Sequence, residues 1–513
     1  MGVVIMAAEL KSVSLLAPGF FGLNTQDSSL GLPKEFSLRA DNAVIDQYGR
    51  IASRKGWDNL NTSVGYVGTE PTMLYEIVKK DGTTELASIG DNKIYTGTTT
   101  LTLKYTGSTW TAQNWKAVSF NNHTYFFQRA HDPIMYDHAG NTWTLMSAHA
   151  GYSGTVQLAN EVLGAYGRIW VADTTTDKTT VWWSDALTGH KWTGGNAGSI
   201  SIEKAFTNGT DSIVALAAFN GYLIIFCKKS IVIYSGATTD PSTNLSLVEV
   251  IDGVGCVARD SVQDVGSDIF FLSDTGVRSL GRIIQEKSPP LFDVSRNIRD
   301  DLLADFTTNN SVDNIRSAYY EKDGFYLLSF PTAGISYCFD LKSRLQDNSC
   351  RVTKWTIAPK SLATTKDRKL YLGRLGYIGN YGALASDNGD SFRFAYYTAH
   401  LDATAPSVLK MLKKMSLFLI GGLNTNVFLY CAVDYSSLYS ISQINNVGGT
   451  TRSEYNISEY NIAEYNSGAF VNNTKVNLSG TGRVFQIGIE ANISTDSLSI
   501  QQMDVYFKTG KLA

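Results

Sequence analysis

The sequence predicts a mainly β protein: a β-propeller of six or seven blades with an additional β-sandwich-like domain and an extended N-terminal arm. Three observations predict it. First, an apolar run repeatedly breaks at a short polar turn and resumes as a run of Ile, Leu, Phe, Tyr and Trp. The copies are Ile89-Gly90-Asp91-Asn92, Phe120-Asn121-Asn122, Tyr166-Gly167-Arg168, Phe219-Asn220-Gly221, Val265-Gly266-Ser267, Glu321-Lys322-Asp323-Gly324 and Thr365-Lys366-Asp367-Arg368. From the second copy onward the turns fall about 44 to 57 residues apart, the spacing of four-stranded propeller blades. Second, 45 Gly, 27 Tyr, 23 Phe and 9 Trp favour short strands and tight turns, because aromatic and β-branched side chains fit a pleated surface. Third, 513 residues exceed one ordinary core, so two or three domains are expected.

Residues 1–62, rich in Gly, Pro and Asn and without a long periodic run, read as an extended arm that packs on the C-terminal domain. The propeller is expected over 63–390. Its first blade holds Met73 to Val78, a turn at Lys80-Asp81-Gly82, Thr84 to Ile89, Lys93 to Thr96 and Leu101 to Tyr105. Asp-Gly between apolar runs predicts a type I′ hairpin, with positive φ at both central positions. The second blade holds Trp115 to Phe120, Thr124 to Gln128, Pro133 to Tyr136 and Thr142 to Met146, and the third runs from Glu161 through Ile169-Trp170-Val171 to Val181-Trp182-Trp183. The nearly unbroken apolar runs Ile213 to Phe219, Tyr222 to Cys227 and Ile231 to Tyr234 predict fourth-blade strands covered on both faces. Later blades centre on Ile269 to Leu272, Phe325 to Phe330 and Leu370 to Leu372. Near 293–306, Asp293 is placed to cap a short inserted helix whose Val294, Ile298, Leu302 and Phe306 form one apolar stripe.

From 391 to 513 the strands lengthen, as in Met415 to Ile420, Val427 to Val433, Ile487 to Ile493 and Leu498 to Phe507, which predicts a sandwich-like platform. Within it lies a pentad repeat, Glu454-Tyr455-Asn456-Ile457-Ser458, Glu459-Tyr460-Asn461-Ile462-Ala463 and Glu464-Tyr465-Asn466. A period of five matches neither helix nor strand. One reading is an exposed ribbon whose Tyr455, Tyr460 and Tyr465 bind a neighbouring subunit, since Tyr is enriched in interfaces; the other is a plain surface loop.

Charge and cysteine content exclude several classes. With 44 Lys plus Arg against 47 Asp plus Glu the formal charge is -3, so no global basic field draws the chain to nucleic acid or anionic lipid. Five scattered cysteines without a CxxC pair argue against a disulfide scaffold or zinc ribbon and for small core residues in a reducing compartment. The N-terminal apolar stretch lacks a basic leader and meets Glu9 and Lys11, and the later ones are split by Lys228 and Lys229 or by Asn424, Thr425 and Asn426. A soluble protein without a membrane span is expected.

The motifs with clear catalytic mechanics, GxGxxG, the Walker loop, HExxH and GxSxG, are absent from the sequence. His131 and His138, the closest histidine pair, flank a predicted strand without a ligating Cys or Glu nearby, so no metal site is expected there. Asp173 and Asp177 read as a solvated hairpin tip more readily than as calcium ligands. The turns Ser386-Asp387-Asn388-Gly389-Asp390 and Asp137-His138-Ala139-Gly140-Asn141 loosely resemble the Asp-box turns of sialidase propellers but miss their spacing. They read as Asp and Asn closing turns through their own side chains. No catalytic, metal or cofactor-binding residue is assigned, and no cofactor is expected. Carboxylates brought together from distant strands, as in glycosidases, stay open.

The two ends of the chain carry a family resemblance. Gly22-Leu23-Asn24-Thr25, then Leu32-Pro33, then Asn42-Ala43-Val44, and Gly49-Arg50 leading to Arg54-Lys55-Gly56-Trp57, resemble the opening of nozzle, or packaged-DNA stabilisation, proteins from the tails of short-tailed bacteriophages. Lys55 stands where that family often has Pro. Gly480-Thr481-Gly482-Arg483 through Glu490, and Ile500 through Lys511, are similar to the closing sandwich strands of such proteins. The resemblance implies a structural, noncatalytic virion protein, assembled in the host cytoplasm. Six copies would form the distal ring of the tail, docked on the portal adaptor and contacting tail fibres or spikes. That ring would be a conduit that retains packaged DNA and passes it at ejection without sequence-specific binding. Two rival expectations are a propeller that binds host surface polysaccharide as a receptor and a glycan hydrolase.

Overall fold

The computed structural model describes residues 10–16, 19–61, 70–108, 110, 114–155, 157–206, 209–286, 294–403, 405–446 and 471–512. These form a β-propeller and a two-sheet platform, and the described chain runs from the platform, from Leu10 on, through the propeller and back.

The described residues build six four-stranded blades, with a three-stranded sheet between the fourth and fifth. Blade 1 is Met73–Val78, Thr84–Gly90, Lys93–Thr96 and Thr102–Thr106, and blade 2 is Lys116–Phe120, His123–Gln128, His131–Asp137 and Thr142–Leu145. Blade 3 is Ala159–Ala165, Arg168–Thr174, Thr180–Trp183 and Gly198–Ser201, and blade 4 is Ile213–Phe219, Tyr222–Cys227, Ser230–Ser235 and Ser246–Asp252. The three-stranded sheet is Gln263–Asp264, Ile269–Ser273 and Gly276–Ser279. Blade 5 is Arg316–Tyr320, Phe325–Phe330, Ile335–Arg344 and Cys350–Trp355. Blade 6 is Leu362–Thr364, Leu370–Arg374 and Tyr377–Tyr381, completed by Trp57–Asn59 from the start of the chain. The first strand of each blade faces the axis, and the ring closes where Leu362–Thr364 meets Met73–Val78.

Apolar faces hold neighbouring blades together. Phe126, Ile134 and Tyr136 pack on Ile89 and Ile94 between blades 1 and 2. Trp170, Val181 and Trp183 pack on Leu216, Leu223 and Ile225 between blades 3 and 4. The blade 4 runs are covered on both faces as their sequence implies, since Leu223 and Ile225 face blade 3 while Ile224 and Phe226 face Ile269 and Phe271. Each such side chain contributes about 1.5–3 kcal/mol by leaving water.

The recurring turn is the hairpin between the first two strands of a blade. Asn121-Asn122, Tyr166-Gly167 and Asn220-Gly221 have positive φ at both positions, the type I′ geometry that matches strand twist. In blade 1 the equivalent turn is Lys79–Thr83, while Asp91-Asn92 joins the second strand to the third, which is why regular spacing starts only at the second copy. The Asp81-Gly82 turn is corrected in type. Only Gly82 has positive φ, and Lys79 N–H donates to Thr83 O, as in a type I turn with a glycine bulge.

The expected arm over 1–62 is woven into both platform sheets. One sheet runs Val471–Asn477, Val408–Gly421, Leu498–Leu512, Ile51–Ser53, Ala43–Ile45, with Leu10–Leu15 on the long strand Leu498–Leu512 and Thr481–Gly482 on Val408–Gly421. The other runs Phe36–Asp41, Phe392–Thr398, Phe485–Ile493, Thr425–Val433, Ser440–Asn446. A parallel bridge between Asp41 and Lys354 joins this second sheet to blade 5, giving ten strands in one continuous sheet. Strand alternation decides the sides: Val427, Leu429 and Cys431 enter the core, while Asn426, Phe428 and Tyr430 face away from it. Leu15, Phe20, Ile45 and Ile51 of the arm share that core with Phe394, Leu417, Ile489 and Val505.

The inserted helix is Arg299–Asn309, entered through a 3-10 turn at Arg296–Ile298. Its start is therefore later than expected, and Asp293 lies outside the described residues. Val294, Ile298 and Leu302 are buried, with Phe306 packed against the same core. All five cysteines are buried and unbridged.

Gly56 marks the tightest approach between arm and propeller edge. A Cβ there would stand 1.9 Å from Ser386 O, a backbone atom that cannot rotate aside. Gly56→Ala is expected to destabilise by at least about 2–3 kcal/mol through forced separation of these segments, measured as a fall in the urea midpoint. Gly82→Ala is a poor control because of its positive φ, whereas Ala139→Gly in an exposed turn should change the midpoint little.

Candidate functional site at the propeller axis

First strands of the blades carry charged residues to the axis, where they pair across blade boundaries. Lys116 of blade 2 donates to both carboxylate oxygens of Glu161 of blade 3 at 2.8 Å. Glu161 also accepts from Leu216 N–H of blade 4 at 3.0 Å. Arg259 precedes the three-stranded sheet, in a 3-10 turn over Arg259–Ser261, and approaches Glu161 at 4.0 Å. Its Nε and Nη2 each donate to Asp260 at 2.7 Å, and it also donates to the carbonyls of Asn114, Trp115 and Asn160. Arg316 of blade 5 completes the chain, 3.1 Å from Asp260. One ionic network thus joins blades 2, 3 and 5, the three-stranded sheet and, through a backbone N–H, blade 4.

Environment drives its two carboxyls apart. Burial pushes Glu161 up, against the pull of Lys116 and Arg259. Burial works in the same direction on Asp260, but Arg259 and Arg316 outweigh it and hold that carboxyl at about 2. A divergent pair of this kind is what acid–base catalysis needs. Yet Glu161 has 0% exposed surface and both its oxygens are engaged by Lys116.

A cavity of about 390 Å³ adjoins the network, lined among others by Tyr75, Glu76, Lys116, Asp260, Gln263 and Arg316. It would hold a small molecule, but it is far too small for a DNA duplex, whose major groove alone is about 12 Å wide. Sequence reasoning missed this cluster because its members come from five separate stretches of chain. Single charged residues at the start of otherwise apolar strands, Lys116 and Glu161, are the signal that was there to read.

A second built region is the junction of arm, blade 6 and platform. Arg54 is buried, donates to both oxygens of Asp387 at 2.7 and 2.6 Å and to Asn42 Oδ1 at 3.0 Å, and lies 3.9 Å over the Phe392 ring. Asn42 has positive φ and its side-chain amide donates to Thr356 Oγ1 and Arg393 O. Asp46 accepts from Arg50 N–H and Nε. Lys55, in the place where Pro was expected from the resemblance, pairs with Asp323 of blade 5 at 2.9 Å. The opening phrase and the Ser386–Asp390 turn, unrelated in sequence, are therefore one structural unit.

The other residues singled out in the sequence serve packing or turns. Asp173 is corrected: instead of a solvated tip it is buried in the blade 3 strand Arg168–Thr174, held by Arg129 of blade 2, Lys178 and Asn160, whereas Asp177 caps its turn by accepting from Thr179 and Thr180 N–H. Asp137 accepts from Ala139 and Gly140 N–H. His131 packs on Trp110 and Trp115, while His138 bonds Thr124 Oγ1 at 2.9 Å. Tyr455, Tyr460 and Tyr465 lie outside the described residues. Among the described residues no group of three His, Cys, Asp or Glu side chains is assembled to hold a metal ion, and no helix is long and apolar enough to cross a membrane.

No family model and no curated protein matches the chain in sequence. Solved structures similar to it include BamB from Moraxella catarrhalis, at 10% identity and TM-score 0.35, covering 73% of this chain and 98% of that one. Another is an exo-beta-1,3-galactanase from Phanerochaete chrysosporium with galactose, at 12% identity and TM-score 0.28, covering 78% and 97%. A third is PorZ, a bacterial surface component of the type-IX secretion system of Porphyromonas gingivalis, at 12% identity and TM-score 0.35; the match covers 67% of this chain and 42% of PorZ. At these values the likenesses carry no argument about activity, and the fold stands on its own strand pairing.

Proposed function

We propose that this protein is a noncatalytic virion component of the nozzle kind, a ring-forming piece of a short phage tail that docks on the portal adaptor and retains and passes DNA. The observation that carries the reading is the junction. Of the residues on which the resemblance rests, Asn42, Arg54, Gly56 and Trp57 work together there to fasten propeller to platform, while Arg50 ties Asp46 to Gln501 within the platform. The axial ion network adds a constraint: a propeller stitched shut along its own axis leaves the duplex to run between copies, around which a heterologous interface closes the ring. A formal charge of -3 suits a conduit, since a strongly basic lining would grip the polyanion through counterion release.

The divergent carboxyls Glu161 and Asp260 favour one rival, glycan hydrolysis. Negative-stain electron microscopy of the full chain, alone and with heads completed to the adaptor, separates the two. Rings of six with an axial opening are expected. A chain that stays monomeric beside the adaptor, and cleaves host polysaccharide with a rate lost in Asp260→Asn, would overturn the reading.

A further inference from the structure

Three histidines that are distant in sequence meet where blade 3 touches blade 2. Their ring centroids lie 4.4 Å apart for His149 and His190, 5.6 Å for His123 and His190, and 5.9 Å for His123 and His149. His123 opens the second strand of blade 2, His149 follows its last strand, and His190 lies in the blade 3 connection over residues 184–197. That connection reaches back onto blade 2 and the segment after it through a parallel bridge of Ser153 with Lys191, in which Ser153 N–H donates to His190 O at 3.4 Å, and through three further bonds. Asn121 Nδ2 donates to Leu187 O at 2.6 Å, Trp192 N–H to Ser153 O at 2.9 Å, and Ser153 Oγ to Thr193 O at 3.3 Å. Tyr125 OH and His190 Nδ1 are 3.3 Å apart. Trp192 inserts beside Phe127 as the apolar anchor.

We infer that the 184–197 connection is an acid-sensitive latch, closed on blade 2 while His190 is neutral and loosened when that ring takes up a proton in its place against His123 and His149. The geometry gives charge few outlets. Nδ1 of His149 is already taken by Gly151 N–H at 3.1 Å and so offers no acceptor to a proton on His190. Nε2 of His190 faces the Gly151 backbone. Asp137 stands 3.8 Å from His123 Nε2, while on the latch itself Lys191 acts on His190 and Asp185 acts on Lys191, the Asp185 carboxylate also accepting from Ala186 and Asn196 N–H. His138 faces His123 from blade 2, and from blade 1 Lys79 and Asp81 act on His138 with opposite signs. Burial first, then His149, His123 and Lys191, push His190 down to about 4.

The sign follows from that depression. The open latch binds a proton at His190 near the ordinary value of about 6.5 and the closed latch only near 4. Closure is therefore fully favoured above about 6.5 and weakens as pH falls toward 4. The full shift sets a ceiling of about thirtyfold on the change in opening constant between pH 7.5 and pH 5, and partial exposure of the ring reduces the expected change to about tenfold.

Hydrogen–deuterium exchange of the full chain, in buffers with EDTA and corrected for the intrinsic pH dependence of exchange, tests it. Peptides covering 146–154 and 184–197 should lose about tenfold protection at pH 5 relative to pH 7.5, while strands of blade 4 should not. In His190→Gln the pH dependence at those peptides should fall to less than half. His149→Gln is the second variant, should the first perturb the closed form at pH 7.5. Protection that is unchanged by pH in the wild type would overturn the inference. So would pH dependence that survives both substitutions.

Discussion

Asp387→Ala should destabilise the folded chain by about 3–5 kcal/mol, the range for removing one member of a buried ion pair. The reason is asymmetry. Arg54 has 1% side-chain exposure and Asp387 has 21%, so losing the carboxylate strands a guanidinium with no route to water. Losing the guanidinium leaves a carboxylate that hydrates. Arg54→Met, which keeps contact with the Phe392 and Trp355 faces, should cost only about 1–2 kcal/mol. Urea unfolding followed by tryptophan fluorescence, which reads Trp57 and Trp355 beside the junction, gives both values. If Arg54→Met proves the more damaging, the pair is held by packing and not by charge.

Glu161→Ala carries the second large expected effect, about 2–3 kcal/mol, because it takes the acceptor from the buried Leu216 N–H while Lys116, with 29% side-chain exposure, is partly able to hydrate. It leaves Lys116 unpaired at the axis and opens a void beside Arg259, which keeps Asp260 and three backbone carbonyls as partners. The double change Lys116→Met with Glu161→Met removes both charges and should recover at least about 1.5 kcal/mol relative to Glu161→Met alone. Additive losses in that cycle would show that the two residues act independently. Because burial raises the Glu161 carboxyl, its protonation favours the closed axis, and acid should weaken the axis only as pH falls from the ordinary carboxylate range toward about 2, where Asp260 loses its charge.

The propeller was legible because each blade is local. A blade needs apolar strands and tight turns within about 50 residues, and positive-φ positions such as Asn121-Asn122 and Asn220-Gly221 announce themselves in the residue types. The helix was legible through its stripe but not its start, since no side chain caps it and the chain enters through a 3-10 turn. What stayed hidden is non-local. Trp57–Asn59 shows nothing in its own sequence that assigns it to the far side of blade 6. Arg54 and Asp387 are separated by 333 positions, and the histidine cluster by 26 and 41 in successive steps from His123 to His190. Pairings of that kind depend on how the ring closes, which residue type and period do not encode.

The weave of the first strand with the last sets a timetable for synthesis. Ser14 hydrogen-bonds Asp504, 490 residues later. At about 5–20 residues per second a ribosome needs roughly 25–100 s to cover that interval. During it Leu10–Leu15, Ile51–Ser53 and Phe36–Asp41 have emerged while their partners in 392–512 have not. The first four blades can collapse on their own contacts in that time, but the sixth can close only if Trp57–Asn59 is still free. The nascent chain must therefore hold the edges of its opening strands open for partners near 392–512 through most of its own translation, even though Ala43–Ile45 and Ile51–Ser53 can pair locally, and that waiting period is where this protein is most exposed to misassembly.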